Sequence, residues 1–77
     1  METIKIAHWG LGAMGSGIAR LVNSKTGLES IAAFDQYTGK QGKDLGEVIG
    51  LDRQLGVTVA AAPQGTWNVD GADLVII

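Results

Sequence analysis

Cysteine is absent from the 77 residues, which removes disulfides and thiolate metal sites and suits a cytoplasmic protein. Aromatic residues are few, two Trp, one Tyr and one Phe, and proline occurs once. Neither sign of charge dominates: six Lys and Arg against eight Asp and Glu leave a net charge of −2. That balance gives no electrostatic case for nucleic acid or an anionic membrane as partner. Met1-Glu2-Thr3 is not the basic start of a signal peptide, and no apolar run approaches the roughly 20 residues of a membrane span. No internal repeat, low-complexity segment, metal-ligand spacing or nucleophile motif occurs. These absences point to a soluble intracellular protein of ordinary globular composition. At 77 residues it is shorter than a usual domain, and a chain this short buries only about 60% of its unfolded surface.

Glycine, by contrast, is plentiful, with twelve residues. Three of them space the stretch Gly10-Leu11-Gly12-Ala13-Met14-Gly15, a G-x-G-x-x-G sequence. With so many glycines a bare match carries little weight; the flanks give it meaning. Residues 3–9 read as a strand, Ile4, Ile6 and His8 pointing one way and Lys5, Ala7 and Trp9 the other. Residues 13–25 read as a helix, with Met14, Ile18, Leu21 and Val22 on one face and Gly27 in the place of a stop signal. Strand, glycine turn and helix are the context of a dinucleotide site. Gly10 permits the tight turn and Gly12 leaves room for a pyrophosphate against bare backbone. Gly15 allows close helix–strand contact, which Gly17 extends. His8 and Trp9 are read as packing residues, His8 as a hydrogen-bonded core histidine.

Residues 28–34 read as a second strand, parallel to the first through a right-handed crossover. Asp35 leaves its C-terminal end, twenty residues after Gly15, where a carboxylate accepts hydrogen bonds from the adenosine ribose hydroxyls. Gln36 and Tyr37 follow with no adjacent arginine, which favours NAD; Lys40 and Lys43 keep NADP open. Residues 38–43 read as a loop and 44–49 as a short helix interrupted by glycine. Lys43, Asp44 and Glu47 are a candidate polar cluster, for which a solvated surface with one local ion pair is the commoner explanation. Residues 57–59 are expected as the third strand, 60–71 as a surface connection holding Pro63 and Trp67, and 72–77 as the fourth strand. The fold class expected is α/β, the N-terminal part of a Rossmann-type parallel sheet. Ending inside an apolar strand, the chain reads as the N-terminal piece of a longer protein.

The wording Trp9-Gly10-Leu11-Gly12-Ala13-Met14-Gly15-Ser16-Gly17, followed by Gly42-Lys43-Asp44-Leu45-Gly46-Glu47, resembles the N-terminal region of the 2,4-diaminopentanoate dehydrogenase family. That family belongs to a wider amine dehydrogenase group similar in fold to dihydrodipicolinate reductase, which carries a related Asp-x-Gly-Glu stretch. The resemblance implies a two-domain NAD(P)-linked oxidoreductase that deaminates a short amine to a ketone, with a homo-oligomeric full-length protein. It implies that Gly10, Gly12, Ala13, Met14 and Gly15 cradle the pyrophosphate and that Asp35 takes the ribose, with Leu11 and Gln36 also among the cofactor-binding residues. Catalytic and substrate residues then lie beyond Ile77, so none is named. The alternatives are a dihydrodipicolinate reductase of lysine biosynthesis and a non-catalytic nucleotide-binding module.

Overall fold

The computed structural model describes residues 3–61 and 71–77. In chain order the elements are β1 (Ile4–Trp9), α1 (Ala13–Asn23), β2 (Leu28–Phe34), α2 (Leu45–Val48), β3 (Val59–Ala60) and β4 (Leu74–Ile76). The strands form one sheet in the order β3-β2-β1-β4, and its three pairings are parallel. The chain therefore steps outward from β1 to β3 and then returns across β1 to place β4 on the other side. That reversal leaves a crevice at the carboxyl ends of β1 and β4. Of the connection expected over 60–71, including Pro63 and Trp67, residues 62–70 lie outside the described residues.

β1 is central, and Ile6, Ala7 and His8 are buried in succession, as a strand covered on both faces requires. Its pairing with β2 carries a register shift: Ile6 partners Ser30, but Ala7 partners Ala32, so Ile31 is skipped. Residues in register share a face of the sheet. The skipped residue thus puts both Ser30 and Ala33 on the face of Ile6 and His8.

α1 meets the sheet on a different stripe from the one its large residues suggest. Met14 is 81% exposed and Leu21 58% exposed, whereas Ala19 and Val22 are buried. A Cβ on Gly15 would lie 2.2 Å from the Gly10 carbonyl oxygen, so this contact sets the rotation of the helix. Gly15, Ala19 and Val22, spaced i, i+4 and i+7, then face inward. Gly17 adds nothing to the approach, since a Cβ there would make only ordinary contact with Arg20. The helix stops at Asn23 rather than continuing to residue 25. The Ser24 hydroxyl donates to the Leu21 carbonyl at 2.7 Å, closing the last turn, and Gly27, at φ +88°, turns the chain into β2.

The second half of the chain is built around one carboxylate. Asp44 Oδ2 accepts from the backbone N–H groups of Gly46 and Leu55, both at 2.8 Å, and Oδ1 from that of Gly56, also at 2.8 Å. Opposite-running backbone bonds join the same segments, Leu45 N–H to the Val57 carbonyl at 2.7 Å and Val59 N–H to that of Lys43 at 2.9 Å. These bonds draw residues 57 and 58 toward 43–45, with an antiparallel bridge between Asp44 and Thr58. The third strand is consequently displaced from 57–59 to Val59–Ala60. Gly46 is required by crowding, because a Cβ there would lie 2.1 Å from the Arg53 carbonyl oxygen. Leu45, Ile49 and Val59 join Leu11, Ala19 and Ala33 in the core, with Val48, Leu51, Leu55 and Val57 packed against it.

Candidate functional site

A cleft of about 400 Å³ opens at the carboxyl ends of β1 and β4. Gly10, Gly12, Ala13, Met14 and Gly15 border it, His8 and Trp9 come from β1, and Ile76 and Ile77 from the end of the chain. Gly10 has φ +102°, a left-handed conformation that favours glycine, and its N–H is tied to the Phe34 carbonyl at 2.8 Å. Gly12 is different. It is the N-cap of α1 in extended backbone geometry, and a Cβ placed on it would touch nothing within 4 Å. The chain's own packing therefore does not demand glycine at this position; what a side chain there would occupy is space in the cleft.

The start of α1 is left open by the protein. No side chain caps it and no acid lies in its first turn. At this end Ser16 N–H bonds to the carbonyl of the N-cap residue, Gly12, at 2.8 Å. The N–H groups ahead of it have no acceptor within the helix, and with the helix dipole they favour an anion. A phosphate group fits this position in charge, donor supply and space.

Leu11 ties the turn to the second strand. Its side chain is fully buried in the core, so only its backbone belongs to the site. Its N–H donates to Asp35 Oδ2 at 2.6 Å, and its carbonyl accepts from Ser16 Oγ at 2.9 Å and from Lys40 Nζ at 2.5 Å. Asp35 Oδ1 accepts from Tyr37 N–H at 2.7 Å. Desolvation pushes the Asp35 carboxyl upward, but the hydrogen bonds from Tyr37 and Leu11, with the Lys40 charge, outweigh it and hold the group below its ordinary value. Asp35 is thus an anchored carboxylate with lone pairs remaining for hydroxyl donors. Gln36 is exposed on the bend that follows.

His8 forms part of the cleft wall, as a neutral group. Its Nε2 is paired with Ser30 Oγ at 2.7 Å, and Ser30 Oγ also accepts from Asn23 Nδ2 at 3.0 Å. Burial lowers its pKa from the ordinary 6.5, since the charged imidazolium would be poorly solvated there. This is the hydrogen-bonded core histidine expected from its place in the strand.

The cluster of Lys43, Asp44 and Glu47 is not a joint polar site. Asp44 turns onto backbone amides, and Lys43 and Glu47 are exposed beside a surface hollow shared with Tyr37, Gly39 and Lys40. Lys40 is the residue whose role was least visible beforehand: it reaches the glycine turn from twenty-nine positions away. Only its closeness to Asp35 in the sequence signals any part in the site. Among the described residues no group of three or more His, Asp or Glu is placed to hold a metal, and no helix is long and apolar enough to cross a membrane.

A parallel sheet that reverses its strand order beside a glycine turn and an open helix start defines a Rossmann-type domain of the dinucleotide-binding class. The pattern of dihydrodipicolinate reductase, N-terminus, matches residues 4–77, and the chain belongs to that family. A 4-hydroxy-tetrahydrodipicolinate reductase of Methanococcus maripaludis is 38% identical over 77 residues, covering 95% of this chain and 28% of the relative. That of Methanococcus vannielii is 40% identical over the same length and shares. Among solved structures, an amine dehydrogenase from Mycobacterium smegmatis superposes with a TM-score of 0.72 at 39% identity, over 77% of this chain and 17% of that one. The chain thus spans little more than a quarter of the length of the curated relatives it matches.

Proposed function

We propose that this chain is the NAD(P)-binding N-terminal portion of a larger oxidoreductase that oxidatively deaminates a short amine such as 2,4-diaminopentanoate. The observation that carries the cofactor reading is Gly12: glycine stands where packing does not require it, on a cleft faced by an uncapped helix start. In this reading Gly10, Gly12, Ala13, Met14, Gly15 and the Leu11 backbone hold the pyrophosphate, and Asp35, with Gln36 beside it, takes the ribose. The anchored carboxylate favours NAD, because a 2′-phosphate beside it is a like charge. The nicotinamide supplies the hydride acceptor. The residues of this chain orient the adenosine and pyrophosphate and, through neutral His8 and the apolar Ile76 and Ile77, line the crevice without adding charge.

The likeness to an amine dehydrogenase structure supports the amine substrate. Identities of 38–40% to 4-hydroxy-tetrahydrodipicolinate reductases support a second reading, a reductase acting on that substrate. One assay separates them: absorbance of reduced nicotinamide, followed in the full-length protein. NAD reduction with 2,4-diaminopentanoate or related short amines at alkaline pH is the expected result. Inactivity on every amine, with oxidation of the reduced cofactor by 4-hydroxy-tetrahydrodipicolinate, would assign the reductase. Residues 1–77 alone should show no turnover, since substrate orientation by a second domain can be worth roughly 7–11 kcal/mol of barrier.

A further inference from the structure

His8 spends one ring nitrogen on the protein and leaves the other without a partner. Nε2 is paired with Ser30 Oγ at 2.7 Å, and Ser30 Oγ receives the Asn23 amide at 3.0 Å. The same Asn23 Nδ2 donates to the Ala19 carbonyl at 2.8 Å, a partner that only the amide nitrogen can serve. Asn23 therefore donates to Ser30, and the single hydroxyl proton of Ser30 goes to His8. With Nε2 accepting it, a neutral imidazole carries its own hydrogen on Nδ1. The opposite tautomer would point two donors at Ser30 and leave its hydroxyl proton without an acceptor, which burial penalises.

Nδ1 has no hydrogen-bond partner among the described residues, although His8 is only 2% exposed. No buried side-chain nitrogen or oxygen among them lacks a partner, so Nδ1 lies at the small exposed edge of the ring. Asn23 and Ser30 place the imidazole on the α1 side of the sheet, and Gly15 and Ile18 of α1 border the cleft together with His8. The exposed edge thus faces the cleft. Ala13, Met14, Ile18, Ile76 and Ile77 around it carry no side-chain N–H or O–H, and in such apolar surroundings one hydrogen bond is strengthened. The uncapped start of α1 opens on the same space and favours an anion.

We propose that His8 is a ligand-binding residue: its Nδ1–H, fixed in that tautomer by Ser30 and Asn23, donates to a diphosphate oxygen of the dinucleotide. The proposal rests on the dinucleotide reading above. Backbone N–H groups at the start of α1 hold the diphosphate from the helix, and the neutral imidazole meets it from the strand. Ser30 and Asn23 are positioning residues and touch no ligand.

The test uses the full-length protein, followed by NMR of isotope-labelled histidine ring nitrogens, with the His8 signals assigned by their loss in His8→Gln. Nδ1 should carry the proton and Nε2 should be bare. ADP should shift the Nδ1 signal, and adenosine should leave it in place. In binding titrations His8→Leu should weaken ADP and NADH by about tenfold, the loss of one hydrogen bond to a charged group, and adenosine by less than about threefold. Ser30→Ala should weaken ADP by a smaller factor, about threefold, by releasing the tautomer, and Ser30→Thr should restore it. A wild-type proton on Nε2, or an Nδ1 signal unmoved when ADP binds, would overturn the proposal even if His8→Leu failed to fold. Equal losses of ADP and adenosine affinity in His8→Leu would also overturn it and leave His8 a packing residue. Wild-type protein that binds neither ADP nor NADH would remove the cofactor reading itself, and this proposal with it.

Discussion

Residues 4–35 and residues 36–61 are held by different kinds of bond. The first set is a strand–helix–strand unit in which backbone ladders and close glycine contact do the positioning, and its side chains mainly fill the core. The second has only a four-residue helix and a two-residue strand, and is organised by a single carboxylate collecting three amides. They also relate differently to the cleft. The first supplies its walls together with Ile76 and Ile77; the second supports the loop that brings Lys40 to the glycine turn. The regular unit therefore sets the glycine turn and ends in the Asp35 carboxylate, and the irregular one adds the Lys40 cation beside it.

The largest expected effect contrasts two glycines within the regular unit. Gly15→Val drives a side chain into the Gly10 carbonyl, which is backbone and cannot swing aside, so about 3 kcal/mol or more of stability should be lost. A Cβ at Gly12 meets no protein atom within 4 Å, so Gly12→Val should cost far less stability than Gly15→Val, while cofactor affinity falls by about a hundredfold or more because the side chain fills the ligand's space. Calorimetry and cofactor titration on both variants separate the two roles. If Gly12→Val bound cofactor normally, the assignment of the motif would be wrong.

Next in size is the hub of the irregular region. Asp44→Ala should strip protection from the amides of Gly46, Leu55 and Gly56 in hydrogen exchange while amides of β1 and α1 keep theirs. Asp44→Asn, retaining one acceptor oxygen, should fall between wild type and the alanine variant. Equal loss of protection in β1 and α1 would show that the two regions do not differ in the way described.

The smallest effect is one of pH. His8 has a lowered pKa, so the neutral form is the one the folded state prefers, and its contribution is fully present above pH 6.5. That contribution is lost as pH falls from 6.5 through the depressed folded value, as the imidazole must be charged. Asp44 acts in a lower window. Its carboxyl is held down first by the Leu55 amide, against desolvation, with Gly46, Gly56 and Val57 adding to the effect. Its stabilisation is present above 3.8 and disappears as pH falls through the lowered value. Denaturant midpoints measured across this range should show two steps, and His8→Gln should remove the upper one alone.

The regular unit was legible because each of its parts has a local chemical reason. An apolar run, a glycine turn and an acid twenty residues on identify β1, the start of α1 and Asp35 without any knowledge of distant contacts. The rotation of α1 was not legible from hydrophobicity, since Met14 and Leu21 are larger than Gly15 and Ala19 yet lie outside. Steric fit at Gly10, a tertiary fact, decided it. The same holds for Asp44, whose acceptors serve amides eleven and twelve positions away, and for the third strand, whose beginning those bonds displace. Lys40 shows the limit most clearly: its partner carbonyl precedes it by a helix and a strand.

Leu11 makes the two ends of the proposed cofactor site parts of one linkage. Its side chain is fixed in the core, and its backbone is held by Asp35 on one side and by Ser16 and Lys40 on the other. A ribose that engages the carboxylate settles the same residue on which the phosphate-facing turn depends. In the proposed site, occupancy of either end would then change the affinity of the other by the same factor, because coupling free energy is reciprocal. The adenosine half of the molecule would in that case act as more than a handle: its arrival would ready the turn for the diphosphate that follows.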